Sequence, residues 1–198
     1  MNKLWIIGDN DYFNDTYKHN GELKKFEGFC TDIWFDNAKK YMAENQKNNK
    51  PFFCYLSTNA AHTPYFVEKK YSDPYENNEN IPNAAFYGLI SNVDENIGKL
   101  VEYLKEIDLM DNTILIFSTD NGTSAGAKIE KGGDRLDGFI GKGYNAGMRG
   151  VLKRVCMKVD TAYLYSFTGK MVELLPEKIL TNLRHITISH QLWWIYVV

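Results

Sequence analysis

Two short, dry runs of apolar residues on either side of a long amphipathic stripe constrain this chain most. Phe52-Phe53-Cys54-Tyr55-Leu56 and Thr113-Ile114-Leu115-Ile116-Phe117-Ser118 have strand length and hardly a polar side chain, the pattern of strands buried on both faces. Between them Phe86, Leu89, Ile90, Val93, Ile97, Leu100, Val101, Leu104 and Ile107 recur at helical spacing as one continuous apolar stripe. Strand, crossover helix and strand make a βαβ unit, whose two strands are expected to lie parallel in a sheet covered on both faces. The fold class read from this pattern is α/β.

Other segments frame the unit. A helix is predicted from Thr31: Thr31 can cap the free amides, Asp32 suits the positive end, and Trp34, Ala38, Tyr41 and Met42 share one face. The polar run Glu44 to Lys50 ends it. Gly8 to Gly28 is polar and aromatic by turns and reads as an irregular surface loop. Ser57 to Asn83 is a long polar loop holding Pro64, Pro74 and Pro82, and a loop of that length inside a compact domain is usually functional or covers a site.

Composition narrows the function classes. A chain of 198 residues, 44% of them apolar, can build a core as one domain. With 23 Lys and Arg against 25 Asp and Glu, the formal net charge of −2 lacks the basic footprint of a nucleic-acid binder. An aromatic content of 14% is too rich for a disordered chain. The uncharged run Ile186 to Val198 is too short and too polar for a membrane span, so neither nucleic acid nor membrane is an expected partner. Leu4-Trp5-Ile6-Ile7 stops at Gly8-Asp9 before the apolar region of a signal peptide would be complete. Cys30, Cys54 and Cys156 stand at unrelated spacings, which make neither a disulfide framework nor a zinc site.

Open sheets of the expected kind bind ligands beyond the carboxyl ends of their strands. Thr58-Asn59-Ala60-Ala61-His62 follows the first strand and Thr119-Asp120-Asn121-Gly122 the second. If the strands are neighbours, the two loops open onto one edge of the sheet. Asp120 and Asn121 offer a carboxylate and an amide oxygen, hard ligands suited to Ca²⁺ or Mg²⁺. Asn-Gly after a strand is also a common tight turn. His62 can act on a bound anion or a leaving group, and a lone histidine in a polar loop is also simply solvated. Trp34, Tyr41 and the long stripe read as core, and Lys39-Lys40 and Lys69-Lys70 as solvated faces.

Three segments together resemble the type I sulfatases. Phe52 to Pro64 is similar to the family segment in which a histidine follows a strand. Phe117-Ser118-Thr119-Asp120-Asn121-Gly122 resembles the family's metal-binding strand end, and Gly28 to Asp36 the helix that precedes both. The likeness runs in register from about Trp5 to about Gly150. It implies an alkaline-phosphatase-like fold, here an incomplete sheet of mainly parallel strands flanked by helices. It also implies Ca²⁺-dependent hydrolysis of sulfate monoesters by a formylglycine nucleophile, on a sulfated small molecule or glycan. Carried onto this chain, it makes Asp120 and Asn121 metal ligands, and His62 a sulfate-contacting or acid-catalytic residue. Ala61 stands where the family often has proline. A divalent cation neutralises the sulfate, and a nearby histidine assists proton transfer.

The family's nucleophile motif, Cys/Ser-x-Pro-x-Arg, is absent: none of Pro51, Pro64, Pro74, Pro82 or Pro176 has an arginine two places on. Two acidic metal ligands near the family's N-terminus, and the Lys and His that follow its nucleophile, also lack counterparts. The chain is expected to begin inside the family domain, with residues 1–150 a partial catalytic domain and turnover by this chain not expected. Members of the family are commonly periplasmic or extracellular. A phosphatase- or phosphodiesterase-type member of the same superfamily is the alternative enzyme, against which a content of 4 histidines speaks. A non-catalytic α/β binding module is the third reading.

After Gly150 the likeness stops. Reading the codons of Cys156 to Tyr163 one base out of register permits Tyr-Glu-Gly-Gly-His-Arg-Val-Pro, a family motif, with the glutamate forced. The codons of Thr187 to Ile195 in the same shifted frame permit Asp-Ile-Ala-Pro-Thr-Leu-Val-Asp, a later family segment. Residues 151–198 are therefore expected to be an out-of-frame tail whose Trp193 to Val198 stands exposed as an aggregation hazard. Sequencing the gene across the codons for Gly150 to Cys156 decides this, an intact frame refuting it.

Overall fold

Asn20 and Gly21 turn the first part of the chain back on itself. In a computed structural model, residues 4–5, 11–118, 123, 125–129, 140–144, 166–168 and 193–197 are described. Strand β1 (Leu4–Trp5) pairs antiparallel with β2 (Thr16–His19), and β2 with β3 (Glu22–Lys25). The expected irregular loop is thus a hairpin. His19 faces Glu22 across Asn20 and Gly21, whose φ of 54° and 97° are the positive values a two-residue hairpin turn requires. Its strands lack an apolar alternation, which hid them. The hairpin delivers Tyr17 into the core with 0% exposure, 4.7 Å from the Trp34 ring.

Helix α1 spans Cys30–Lys47. Its cap position is Phe29, without a side-chain cap, so Thr31 lies inside the first turn and does not cap as expected. The orphan amide of Cys30 is taken instead by the carbonyl of Tyr12, at 2.8 Å. After β4 (Cys54–Thr58) the long loop holds a short helix α2 (Lys69–Ser72) that buries Tyr71. Gly88 permits this contact, because a Cβ there would stand 3.0 Å from backbone atoms of Tyr71 and Ser72.

Helix α3 (Ala84–Glu106) starts where the Asn83 side chain accepts the amide of Phe86, at 3.0 Å. Phe86, Leu89, Val93, Leu100 and Leu104 of the stripe are buried, Ile97 and Val101 half-buried, and Ile90 exposed. Its length is that of a crossover, and it packs on α1.

Strand β5 (Leu115–Ser118) completes the strand–helix–strand unit. The central sheet corrects the expectation of mainly parallel, adjacent strands. Its order is β4-β9-β5-β8, with β8 at Ser166–Thr168 and β9 at Trp193–Val197, and every described pairing is antiparallel. β4 and β5 do run in one direction, since both oppose β9, but β9 lies between them. Ile195 faces Leu56 on one side and Phe117 on the other. An opposed strand in that slot gives each neighbour a full ladder of perpendicular hydrogen bonds. The backbone expected to stand exposed at Trp193–Val197 is therefore paired on both edges.

β4 also differs from a strand dry on both faces. It begins two residues later than the apolar run, and burial alternates along it: Cys54, Leu56 and Thr58 are buried and Tyr55 is exposed. One face meets α1 and the core. A separate two-stranded ribbon, β6 (Ala127–Ile129) with β7 (Ile140–Gly143), is tied to α3 by Tyr87, whose hydroxyl donates to the Gly126 carbonyl at 2.8 Å.

Candidate functional site

The chain leaves β4 at Thr58 and turns at once. The amide of His62 donates to the Asn59 carbonyl at 2.9 Å, and the Thr58 hydroxyl to the Ala60 carbonyl at 3.2 Å. Ala60 and Ala61 are buried, which roots the turn, while the His62 side chain is exposed. Two peptide bonds in this loop, Ala60–Ala61 and Thr63–Pro64, are cis.

Residues remote in sequence hold the loop. The Tyr12 hydroxyl donates to the His62 carbonyl at 3.2 Å, and the Cys30 thiol to Asn59 Oδ1 at 3.3 Å. Burial raises the Tyr12 hydroxyl pKa, against the pull of its hydrogen bond with Asn59, so it stays a donor. Burial likewise pushes the Cys30 thiol up to about 11, with the polar surroundings of Asn59 and Thr31 opposing it, and burial pushes the Cys54 thiol to about 11. Both cysteines are thus held as buried thiols, the inert form.

His62 Nδ1 lies 2.8 Å from the Thr63 carbonyl oxygen. A carbonyl only accepts, so Nδ1 carries the proton in this contact, and Nε2 of the exposed side chain is not engaged by it. Further along, Tyr65 turns inward, edge-on to Phe86 at 5.7 Å, and Phe66 turns outward, edge-on to Tyr12 at 6.2 Å. Tyr12 is the neighbour that sequence reading missed, while Asn59 and Phe66 lie in the loop it had marked. Nothing in the string ties position 12 to position 62.

Asp120, Asn121 and Gly122 lie outside the described residues. The strand that leads to them is described to Ser118, and its place matters. Ser57 and Ser118 face the same residue, Trp194, from opposite sides of β9. Two strand spacings, roughly 9–10 Å, separate them, and both chains leave the sheet at the same end. Among the described residues, no group of three or more His, Cys, Asp or Glu is placed to hold a metal ion. A carboxylate and an amide oxygen match the hard donors Ca²⁺ takes, though the ion takes about six to eight oxygens in all.

A second polar cluster joins α1 to α3. Asp32 Oδ1 accepts the side-chain amides of Asn92 at 2.8 Å and Asn96 at 2.7 Å. Asn92 and Asn96 are buried within the helix that carries the apolar stripe, and Thr31 Oγ1 and Asn92 Oδ1 have no partner among the described residues. This cluster fixes the helix pair that underlies the His62 loop.

Comparison with known proteins adds the family dimension. The family model described as Sulfatase matches residues 4–152. N-acetylgalactosamine-6-sulfatase of Homo sapiens is 29% identical over 129 residues, 64% of this chain and 23% of that protein. The ulvan-active sulfatase of Formosa agariphila is 28% identical over 132 residues, 59% of this chain and 25% of that protein. The solved structure of Ps i-CgsB in complex with k-i-k-neocarrahexaose is 26% identical with a TM-score of 0.63, covering 78% of this chain and 31% of that chain. The chain spans about a quarter of the length of the curated relatives it matches. No helix among the described residues is long and apolar enough to cross a membrane.

Proposed function

The chain belongs to the sulfatase family, and from that premise we propose that it carries part of a site for hydrolysing sulfate esters. In this reading His62 contacts the sulfate or its leaving oxygen, and Asp120 and Asn121 are ligands for Ca²⁺. The single observation that supports it is the pairing of Ser57 and Ser118 with one residue of β9, which sends both loops from the same end of the sheet.

In this reading His62 serves proton transfer. With Nδ1 committed to the Thr63 carbonyl, a doubly protonated ring would donate its Nε2 proton to the bridging ester oxygen as a nucleophile that this chain does not supply bonds to sulfur and the sulfur–oxygen bond breaks. The alcohol leaves neutral, and the ring keeps its Nδ1 proton. Tyr12 and Asn59 position the ring by holding its backbone, and neither touches the ester. The ion, when bound, neutralises charge on the sulfate oxygens. No residue of this chain is assigned the attack on sulfur, because it has no Cys/Ser-x-Pro-x-Arg run, and turnover by this chain alone is not expected.

A sulfated glycan is the proposed substrate class, supported by the oligosaccharide in the Ps i-CgsB complex and by the ulvan-active relative. For the tail, we propose the shifted reading frame described above, which gene sequencing tests. The site is tested by NMR titration of the full chain with inorganic sulfate, with and without Ca²⁺. Shifts centred on His62 and on Asp120-Asn121 are expected, strengthened when both solutes are present. Shifts confined to the Lys69-Lys70 face would overturn the reading.

A further inference from the structure

We infer that Phe66 is the platform on which a sugar ring of the substrate stacks, beside His62. This rests on the sulfated-glycan reading above and deepens it.

The loop after β4 is anchored at both ends of the segment that matters. Tyr65 packs edge-on against Phe86 of α3, at 5.7 Å with the rings at 90°. The Val67 side chain lies where a Cβ on Gly88 would meet it, at 3.0 Å. The Phe66 amide is bound to the Pro64 carbonyl at 3.0 Å. Between these anchors the phenyl ring of Phe66 is 60% exposed. It is the one exposed large apolar side chain, among the described residues, that the His62 loop itself carries.

Leaving a fixed aromatic ring in water forfeits burial that a fold could readily obtain, so its placement calls for a partner. One ring, that of Tyr12, connects the two exposed groups: its hydroxyl binds the His62 carbonyl and it lies T-shaped to the Phe66 ring, with centroids 6.2 Å apart. The loop thus carries an exposed imidazole and an exposed apolar ring four residues apart, both held through Tyr12. A sulfated sugar has the matching pair, an anionic group for the nitrogen and a face of C–H groups for the ring. Small alkyl sulfates have only the first.

Binding to the full chain is measured by calorimetry with three probes: inorganic sulfate, a sulfated carrageenan oligosaccharide and its desulfated counterpart. The unsubstituted chain is expected to bind the sulfated oligosaccharide more tightly than either other probe. Phe66→Ala is expected to weaken that binding about tenfold, as the loss of one stacked ring does, while sulfate affinity stays within about twofold. Phe66→Trp retains the oligosaccharide, and Phe66→Leu, apolar but faceless, behaves as Ala does. Circular dichroism checks that each variant keeps the fold, as exposure of the side chain leads one to expect.

Unchanged oligosaccharide binding in Phe66→Ala, or an equal loss for sulfate and oligosaccharide, overturns the platform. So does sulfate binding with no gain from the attached sugars. A chain that binds neither sulfate nor oligosaccharide refutes instead the reading of His62 as the anion contact, and the platform with it.

Discussion

Two polar clusters of this molecule use similar side chains to opposite ends. Around Asp32, amides from Asn92 and Asn96 are buried between helices and spend their hydrogen bonds on each other. Around His62, the hydrogen bond from Tyr12 and the one that His62 Nδ1 gives to the Thr63 carbonyl secure the loop while the side chain stands exposed. The first cluster turns its amide donors inward onto Asp32 and serves the scaffold. The second holds its backbone frame and leaves the His62 side chain exposed, as the proposed anion contact requires.

The contrast can be tested from its scaffold side first, where effects are largest. Leu100→Ala, at a fully buried position of α3, is expected to cost about 3 kcal/mol through lost burial and a residual cavity. The midpoint of urea denaturation measures it, and a change below about 0.5 kcal/mol would mean that α3 is not core. Asp32→Ala strips both buried amides of their acceptor and is expected to cost about 2 kcal/mol in the same measurement. Sulfate titration shifts at His62 should persist in that variant, since the aspartate acts only through the helix pair.

Alkaline pH probes the scaffold without mutation. The Cys30 and Cys54 thiols, raised to about 11 by burial, keep their protons in the folded chain where an unfolded chain would release them. Their contribution is complete below the ordinary thiol pKa and is lost as pH rises through about 11. Tyr17, raised chiefly by burial with its charge neighbours adding to it, acts in the same sense. Denaturation midpoints should fall steadily from pH 8.5 to 11, roughly the interval between free and folded thiol values. A flat profile would show that the thiols are open to water.

The functional cluster should reverse this order. Tyr12→Phe removes the donor to the His62 carbonyl and is expected to cost about 1 kcal/mol of stability, with weaker sulfate shifts at His62. His62→Ala, at an exposed side chain, should leave stability within about 0.5 kcal/mol and abolish the sulfate response. Stability loss without loss of that response would place His62 with the scaffold.

Much of the scaffold was legible because periodicity reports burial directly. The stripe from Phe86 to Leu104 marked α3, and the apolar runs marked β4 and β5 within two residues. What escaped depended on the third dimension. The Asn20-Gly21 turn was a readable hairpin signal, but the charged strands on either side lacked the alternation that would have supported it. No local pattern reveals that Asp32 meets Asn92 and Asn96, because those asparagines sit among apolar neighbours and register only after α1 docks on α3. Strand order is equally non-local. That β4 and β5 share a direction followed from the crossover, whereas the intrusion of β9 depended on a segment far along the chain. The place of His62 in a loop after a strand was legible; that Tyr12 reaches that loop from far along the chain was not.

The account stands or falls on the loops after β4 and β5 forming one site, and a paramagnetic ion reads that directly. Mn²⁺, which accepts the same oxygen donors, is titrated into the full chain while the ring signals of His62 are followed by NMR. Broadening of the His62 ring at low ion concentration, lost in Asp120→Ala, is the expected result. Broadening near Asp120 that leaves His62 sharp, or broadening of His62 that Asp120→Ala does not change, would contradict it.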